Sequence, residues 1–295
     1  MSEPAPVSRT TPAAPEWFAN ALATRPEESW IEIDGAPIEV LAWGERGQPG
    51  ILFLHGNGAH ARWWSFIAPF FSAQFRCAAL SWSGMGRSGW RSAYSPDIFV
   101  AEAIGVAETA GLFEASAPLI VAHSFGGLPA LRLAASQPDR ISGLIVVDTP
   151  LYDASTIENM PNLRLREHPL YPTRDAALER FRLTPPNKQP NDYVLDFLGS
   201  TSLIERESGW TWQFDPFLWK DAHFTPDLDM VSQVSSKFAY FYGDQSEMTG
   251  HALASSIARR NPAAAVIAIP EAGHHVMVDQ PLAFIAALRS VISCW

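Results

Sequence analysis

VAHSFGG, residues Val121–Gly127, is the stretch on which the fold of this chain turns. Before it runs the apolar Ala117-Pro118-Leu119-Ile120-Val121-Ala122, and after it the helix-like Leu128-Pro129-Ala130-Leu131-Arg132-Leu133-Ala134-Ala135. Strand, turn and helix therefore follow in direct succession, with Ser124 at the apex of the turn. A serine lifted out of such an elbow usually sits in G-x-S-x-G. Here the pattern reads Ala122-His123-Ser124-Phe125-Gly126, and a small residue such as alanine meets the need of the first slot. The bland alternative is a hydroxyl in a glycine-softened turn. Partners elsewhere in the chain decide between the two.

The 295 residues are 47% hydrophobic and 18% charged, which suits one elaborated domain or a core domain with an insertion. A formal net charge of −10, with no basic stripe, argues against nucleic acid as a partner, because phosphates need clustered Lys and Arg. Cys77 and Cys294 are too few and too scattered for a disulfide framework or a zinc site. Cys77 lies in an apolar run and reads as a small buried hydrophobe. No stretch has the apolar length needed to span a membrane, so no membrane partner is expected. The opening MSEPAPVSRTTPAAPEWF lacks the charged and apolar regions of a signal peptide. Residues 1–15 read as a flexible tail, and a soluble, reducing, cytoplasmic setting is expected.

Apolar runs alternate with helical patterns along most of the chain, which predicts an α/β fold: a mostly parallel sheet with helices on both faces. Trp30–Ile33 and Ile38–Trp43 flank Asp34-Gly35 as an opening hairpin. Ile51–Leu54 is a buried strand followed by His55-Gly56-Asn57-Gly58, and Arg76–Ser81 is another. Ser95–Gly111 has helical periodicity with Pro96 in its first turn. The elbow strand and helix come next, then the strand Ile141–Val147 ending in Asp148. From about Tyr152 to Met230 the character changes. Prolines multiply (Pro161, Pro169, Pro172, Pro185, Pro186, Pro190) and GWTWQFDPFLWK crowds in aromatics. Residues 152–230 therefore read as an inserted, mostly helical cap between core segments 16–151 and 231–295. Alternation resumes with Lys237–Tyr242, a helix near Gly250–Arg260, the strand Ala264–Ile269 and a closing helix from Pro281.

A hydroxyl is a poor nucleophile at neutral pH, so Ser124 needs a base, and the base needs an orienting acid. PEAGHHVMVDQP supplies a late histidine on a loop between the last strand and the closing helix. Taken in order, LHGNG, SWSGMGRSG, VAHSFGG, VVDTP, YGDQSE and AGHHVMVDQP resemble an α/β-hydrolase-fold serine hydrolase with an inserted helical cap. The likeness covers nearly the whole chain except the cap and the tail. It implies the base at His274, from the family's G-H-x5-P spacing, with His275 pointing elsewhere. It implies an oxyanion hole from the backbone N–H groups of Asn57 and Phe125. The acid is open between two positions. The usual G-x-x-D slot holds Ser246, and Asp244 comes two residues early. Some relatives take the acid from the strand after the elbow helix, which here is Asp148, the preferred candidate.

The resemblance implies a cofactor-independent enzyme, with no metal, that cleaves a small carboxylic ester or lactone through an acyl-enzyme. Trp210, Trp212, Phe214 and Trp219 are the candidate substrate-binding residues of the cap, suited to an apolar or aromatic group, although such aromatics are more often a cap's own core. Trp63 and Trp64 are further candidates for the pocket wall. His55 and His123 read as packing or hydrogen-bonding residues, and Asp279 as a cap for the closing helix. Gly84–Gly89 fits G-x-G-x-x-G, but no helix opens on its third glycine, so a dinucleotide site fails its context. In the resembling family that loop shapes the pocket floor. Three rivals stand beside the esterase: a carbon–carbon bond hydrolase with the same triad, a slow-turnover ligand receptor on the same fold, and a nucleotide-binding oxidoreductase. A serine at the apex disfavours the aspartate-nucleophile relatives.

Overall fold

The computed structural model of the protein describes residues 13–158, 165–189, 191–220 and 224–295. Residues 1–12 of the expected tail, together with Pro161 and Pro190, lie outside the described residues. Helix α1 (Glu16–Ala23) comes first, followed by β1 (Glu27–Ile33) and β2 (Ala36–Trp43). The hairpin between them turns on Asp34 and Gly35, at φ 46° and 78°. Positive φ at both central residues matches the right-handed twist of the flanking strands. Then come β3 (Gly50–Leu54), β4 (Arg76–Leu80), α2 (Pro96–Thr109), β5 (Leu119–His123), α3 (Gly127–Ser136) and β6 (Gly143–Val147). Helix α2 starts as expected: the Ser95 hydroxyl accepts the Ile98 N–H at 3.3 Å, and Pro96 takes the first turn.

Between β6 and the next core strand lie α4 (Ala154–Glu158), α5 (Arg174–Leu178), α6 (Asp192–Thr201), β7 (Leu203–Arg206) and β8 (Gly209–Trp212). The β7–β8 pair is antiparallel, with Leu203 opposite Trp212 and Glu205 opposite Trp210. This small hairpin, set among helices, was not foreseen in the segment read as mostly helical. Four residues per strand give too little alternation to register in so aromatic a stretch. The aromatic and β-branched Trp210-Thr211-Trp212 nonetheless suits a pleated surface. Tyr171 and Trp210 exchange backbone hydrogen bonds of 2.9 and 2.8 Å, which ties the chain before α5 to the hairpin. The core then closes with β9 (Lys237–Gly243), α7 (His251–Arg260), β10 (Ala265–Ile269), α8 (Val276–Asp279) and α9 (Pro281–Ser293).

Eight strands form one sheet in the order β1-β2-β4-β3-β5-β6-β9-β10, parallel from β4 to β10, with β1 and β2 antiparallel at one edge. Alternate side chains of each strand go to opposite faces. Leu52, Leu54, Ile120, Ala122, Leu144 and Val146 share one core with Phe99, Leu131 and Ile257 of α2, α3 and α7. Ile51, Phe53, Val121, Ile145 and Val147 share the other with Phe18 of α1 and Phe284 and Leu288 of α9. Strands buried on both faces read as continuous apolar runs, which is why they were visible in the sequence. Short α1 has too few residues for a periodic signal. Phe18 is nevertheless buried against Phe66, Tyr193 and Phe197. The consequence for function is that the carboxyl ends of β3, β5 and β6 and the loop after β10 meet at one sheet edge, where open α/β sheets receive ligands.

Candidate active site

Ser124 follows the last residue of β5 and is held at φ 52°, inside the left-handed region that non-glycine residues seldom enter. Two close approaches enforce the turn. A Cβ on Gly126 would lie 2.7 Å from the His55 carbonyl oxygen, and one on Gly127 would lie 2.1 Å from Thr149 Oγ1. The Thr149 hydroxyl donates to the Ser124 carbonyl at 2.7 Å. Small residues at 126 and 127 thus let the helix start hard against β3 and β6, and the serine is projected from the sheet edge.

The Ser124 hydroxyl donates to His274 Nε2 at 2.8 Å, and His274 Nδ1–H donates to Asp148 Oδ1 at 2.8 Å. Asp148 is wholly buried at the end of β6 and also has positive φ, 47°. Its other partners are the Ser246 hydroxyl at 2.7 Å, the Gly243 N–H at 2.9 Å and the Thr249 hydroxyl at 2.9 Å. Each of these groups donates, so the carboxylate is kept as an acceptor and its remaining lone pair stays on the imidazole. Asp244 is exposed, and its N–H donates to the Ile269 carbonyl. Ser246, in the slot the resemblance gives to the acid, donates to Asp148 instead. The sequence marked Ser246 only as filling the acid's usual slot, and it gave no sign of Thr249. A hydroxyl standing in that slot was the available signal.

The neighbouring histidines are fixed as neutral. His123 Nε2–H donates to the His274 carbonyl at 2.9 Å, which steadies the backbone of the base. His275 Nε2–H donates to the Pro185 carbonyl at 3.0 Å. His55 accepts the Trp82 N–H on Nε2 and donates from Nδ1 to the Gly56 carbonyl. Burial lowers His55 and His275 to about 3 and pushes His123 well below the usual range. A second Ser–His contact, His60 with Ser202 at 2.9 Å, is of a different kind. The Ser202 hydroxyl donates to the Leu198 carbonyl, so it accepts from His60, which burial likewise keeps neutral. It ties the loop after β3 to the α6–β7 turn.

His123, His274 and His275 form the one cluster of potential metal ligands among the described residues. Both ring nitrogens of His274 are already engaged, and Nε2 of each neighbour is held by a carbonyl. The His274 ring is thus held between Ser124 and Asp148.

The loop after β3 presses on the nucleophile: a Cβ on Gly56 would sit 3.0 Å from Ser124 Cβ. Asn57 is tied from above, its Oδ1 accepting the Trp219 indole N–H at 3.0 Å. The buried Phe125 ring packs edge-on against Trp219 and Phe224. Over the serine lies a cavity of about 570 Å³ whose floor is Gly56–Ala59, Trp63, His123, Ser124, His274 and His275. Trp212 and Phe214 line it, as do His168, Tyr171, Phe181 and Leu183. Trp219 does not line it and acts instead on Asn57; Trp210 is in β8, paired with Glu205 and Tyr171, and does not line it either. Trp64 is fully buried against Phe53 and Phe284.

Two further expectations are corrected. Gly84–Gly89 is not on the cavity floor: Gly86 N–H donates to the Gln213 carbonyl, Asp215 N–H donates to that of Gly84, and the loop packs beneath the aromatic stretch. No helix opens there before Pro96. Asp279 does not cap α9. It is buried, and it accepts N–H groups of Gly273 (2.8 Å), Lys188 (3.0 Å) and Gln189 (3.1 Å). The position before Pro281 resembled a cap, but tertiary donors took its carboxylate.

The chain is similar to several known proteins. An esterase of Mycobacterium tuberculosis is 26% identical over 280 residues, 88% of each chain. The pimeloyl-[acyl-carrier protein] methyl ester esterase of Edwardsiella ictaluri is 27% identical over 259 residues, 82% of this chain and 92% of that protein. The thioesterase domain from the curacin biosynthetic pathway superposes with a TM-score of 0.73 at 24% identity, covering 91% of this chain and 99% of that domain. The model of the alpha/beta hydrolase family matches residues 51–288, from β3 almost to the end of α9. A match of that span over the eight-stranded sheet and its serine elbow admits one assignment: the chain belongs to the alpha/beta hydrolase family.

Proposed function

We propose that this hydrolase cleaves a small carboxylic ester or lactone through an acyl-enzyme on Ser124. The supporting observation is the unbroken chain from Ser124 Oγ to His274 Nε2 and from His274 Nδ1 to Asp148, with 2.8 Å at each link. His274 takes the serine proton as the hydroxyl attacks the carbonyl carbon. The N–H groups of Asn57 and Phe125 receive the oxyanion, each such donor being worth roughly 3 kcal/mol. His274 then protonates the leaving alkoxide, and water releases the acyl group by the reverse sequence. Asp148 holds the imidazole tautomer and balances its charge without taking up the proton. Residues 152–230 act as the cap, and Trp212 and Phe214 give the cavity its apolar wall.

The test is labelling with a fluorophosphonate, read by intact mass, on the wild type and Ser124→Ala. One adduct per chain, absent from the variant, is expected. A folded wild type that stays unlabelled overturns the mechanism. Ser124→Ala is further expected to lower kcat on a labelled ester by about 10⁴-fold or more; retention of activity within about tenfold of wild type would exclude Ser124 as nucleophile.

A further inference from the structure

Taken together with the ester-hydrolase reading, on which it rests, the charge around the cavity bears on the substrate. Among the described residues that line it, the side chains with permanent charge are Arg180 and Arg182, and no aspartate or glutamate joins them. Both arginines are exposed at the mouth, beside Thr184 and Met248. Neither guanidinium has a carboxylate within ion-pair distance among the described residues. Arg46, Arg76, Arg91, Arg132, Arg140 and Arg260 each meet a carboxylate, whereas Arg180 and Arg182 are among the described arginines that do not. Lys188, the nearby ammonium, is neutralised by Glu247 at 2.6 Å.

In a chain of net charge −10, the permanently charged side chains lining this cavity among the described residues are nevertheless both cationic. The two differ in role. Arg182 Nη1 donates to the carbonyls of Glu179 and Phe181 at 3.0 and 2.6 Å, so its own turn fixes it. It also borders a second cavity that contains Asp192 and Asp196. The Arg180 side chain makes no hydrogen bond among the described residues, which leaves its donors for a ligand. The floor offers no competing charge to an anion, because His123 and His275 stay neutral. A guanidinium fork matches a carboxylate in plane and spacing.

We propose that the substrate is an ester bearing a carboxylate remote from the scissile bond, received at the cavity mouth by Arg180 with Arg182 beside it. The carboxylate enters as a spectator; bond making and breaking stay at Ser124.

The experiment compares kcat/KM for the mono-4-nitrophenyl esters of succinic, glutaric and adipic acids with that for their methyl-capped neutral counterparts. A second arm compares 4-acetoxybenzoate with its methyl ester, and so asks whether the anion belongs on the acyl or the alcohol side. In at least one pair the anionic ester is expected to be preferred by about tenfold or more at low ionic strength. The preference shrinks in 0.5 M salt, to roughly a third or less, as exposed charges are screened. Arg180→Gln lowers the anionic-to-neutral ratio through KM, and Arg180→Gln/Arg182→Gln lowers it to near unity. The ratio is taken within one preparation, so partial misfolding of a variant cancels. Hydrolysis of both members of every pair without charge preference, or a preference that survives the double variant, overturns this proposal and leaves the esterase reading standing. Hydrolysis of neither member of any pair overturns both.

Discussion

At the scale of single residues, Ser124 and Asp148, the proposed nucleophile and acid, both occupy the left-handed region, at φ 52° and 47°. Such conformations cost on the order of 1 kcal/mol or more and persist only where surrounding packing determines them. Around Ser124 that packing is the contact of Gly126 and Gly127 with β3 and Thr149. Around Asp148 it is the set of donors from Gly243, Ser246 and Thr249. Asp148→Asn is expected to reduce kcat by about 10⁴-fold, because an amide holds the wrong imidazole tautomer. Asp244→Asn, on an exposed turn, is expected to stay within about twofold of wild type. Steady-state kinetics of the two variants decide the assignment, and equal losses would contradict it. Ser246 Oγ lies 2.7 Å from Asp148 Oδ1, so Asp148→Asn/Ser246→Asp should recover part of the lost rate. Ser124 and His274 were legible because each sits in a motif with fixed local spacing. The acid was not settled by spacing, because two loops 98 residues apart converge on it.

Among elements, the short α8 carries more than its length suggests. Asp279 at its end gathers the N–H groups of Gly273, next to the catalytic histidine, and of Lys188 and Gln189. Asn191 Nδ2 donates to the carbonyls of Val278 and Asp279, and His275 to that of Pro185. Pro185, Lys188, Gln189 and Asn191 are thereby bolted to the loop that bears His274. Asp279→Ala is expected to destabilise the protein by about 2–4 kcal/mol, as buried donors lose their acceptor. Urea denaturation reads that loss, and kcat should fall with it as His274 loosens. A variant with wild-type stability and kcat would show that the clamp is dispensable. None of this was legible beforehand. The long helices and the two-sided strands announce themselves by periodicity, whereas the hairpin β7–β8 and the clamp depend on contacts between distant segments.

For the whole molecule, four buried histidines govern the response to acid. His55 and His275 are lowered to about 3, and His60 and His123 well below the usual value, all chiefly by burial. The unfolded chain protonates each near pH 6.5 while the native state does not. Their stabilisation is therefore complete above about pH 6.5 and is lost as pH falls below it, at roughly 1.4 kcal/mol per unit for each histidine. Glu102 and Asp279 are raised by burial and oppose this only near the carboxylate range. All four act in the same direction, so stability falls steeply as pH drops below about 6.5. Thermal unfolding from pH 8 to 5 should show Tm nearly level above pH 7 and dropping sharply below pH 6. A flat profile would mean that these rings take up protons in the native state as readily as in the unfolded chain.

The clamp also limits what can be exchanged by engineering. A segment transplanted from a relative in place of the proposed cap would bring its own shape, but here Pro185, Lys188 and Gln189 anchor the loop of His274. A chimaera joined only at the ends of β6 and β9 would leave Asp279 facing foreign backbone. Grafts that retain residues 185–191 keep the two halves of the mechanism in register and give new selectivity without a new search for activity.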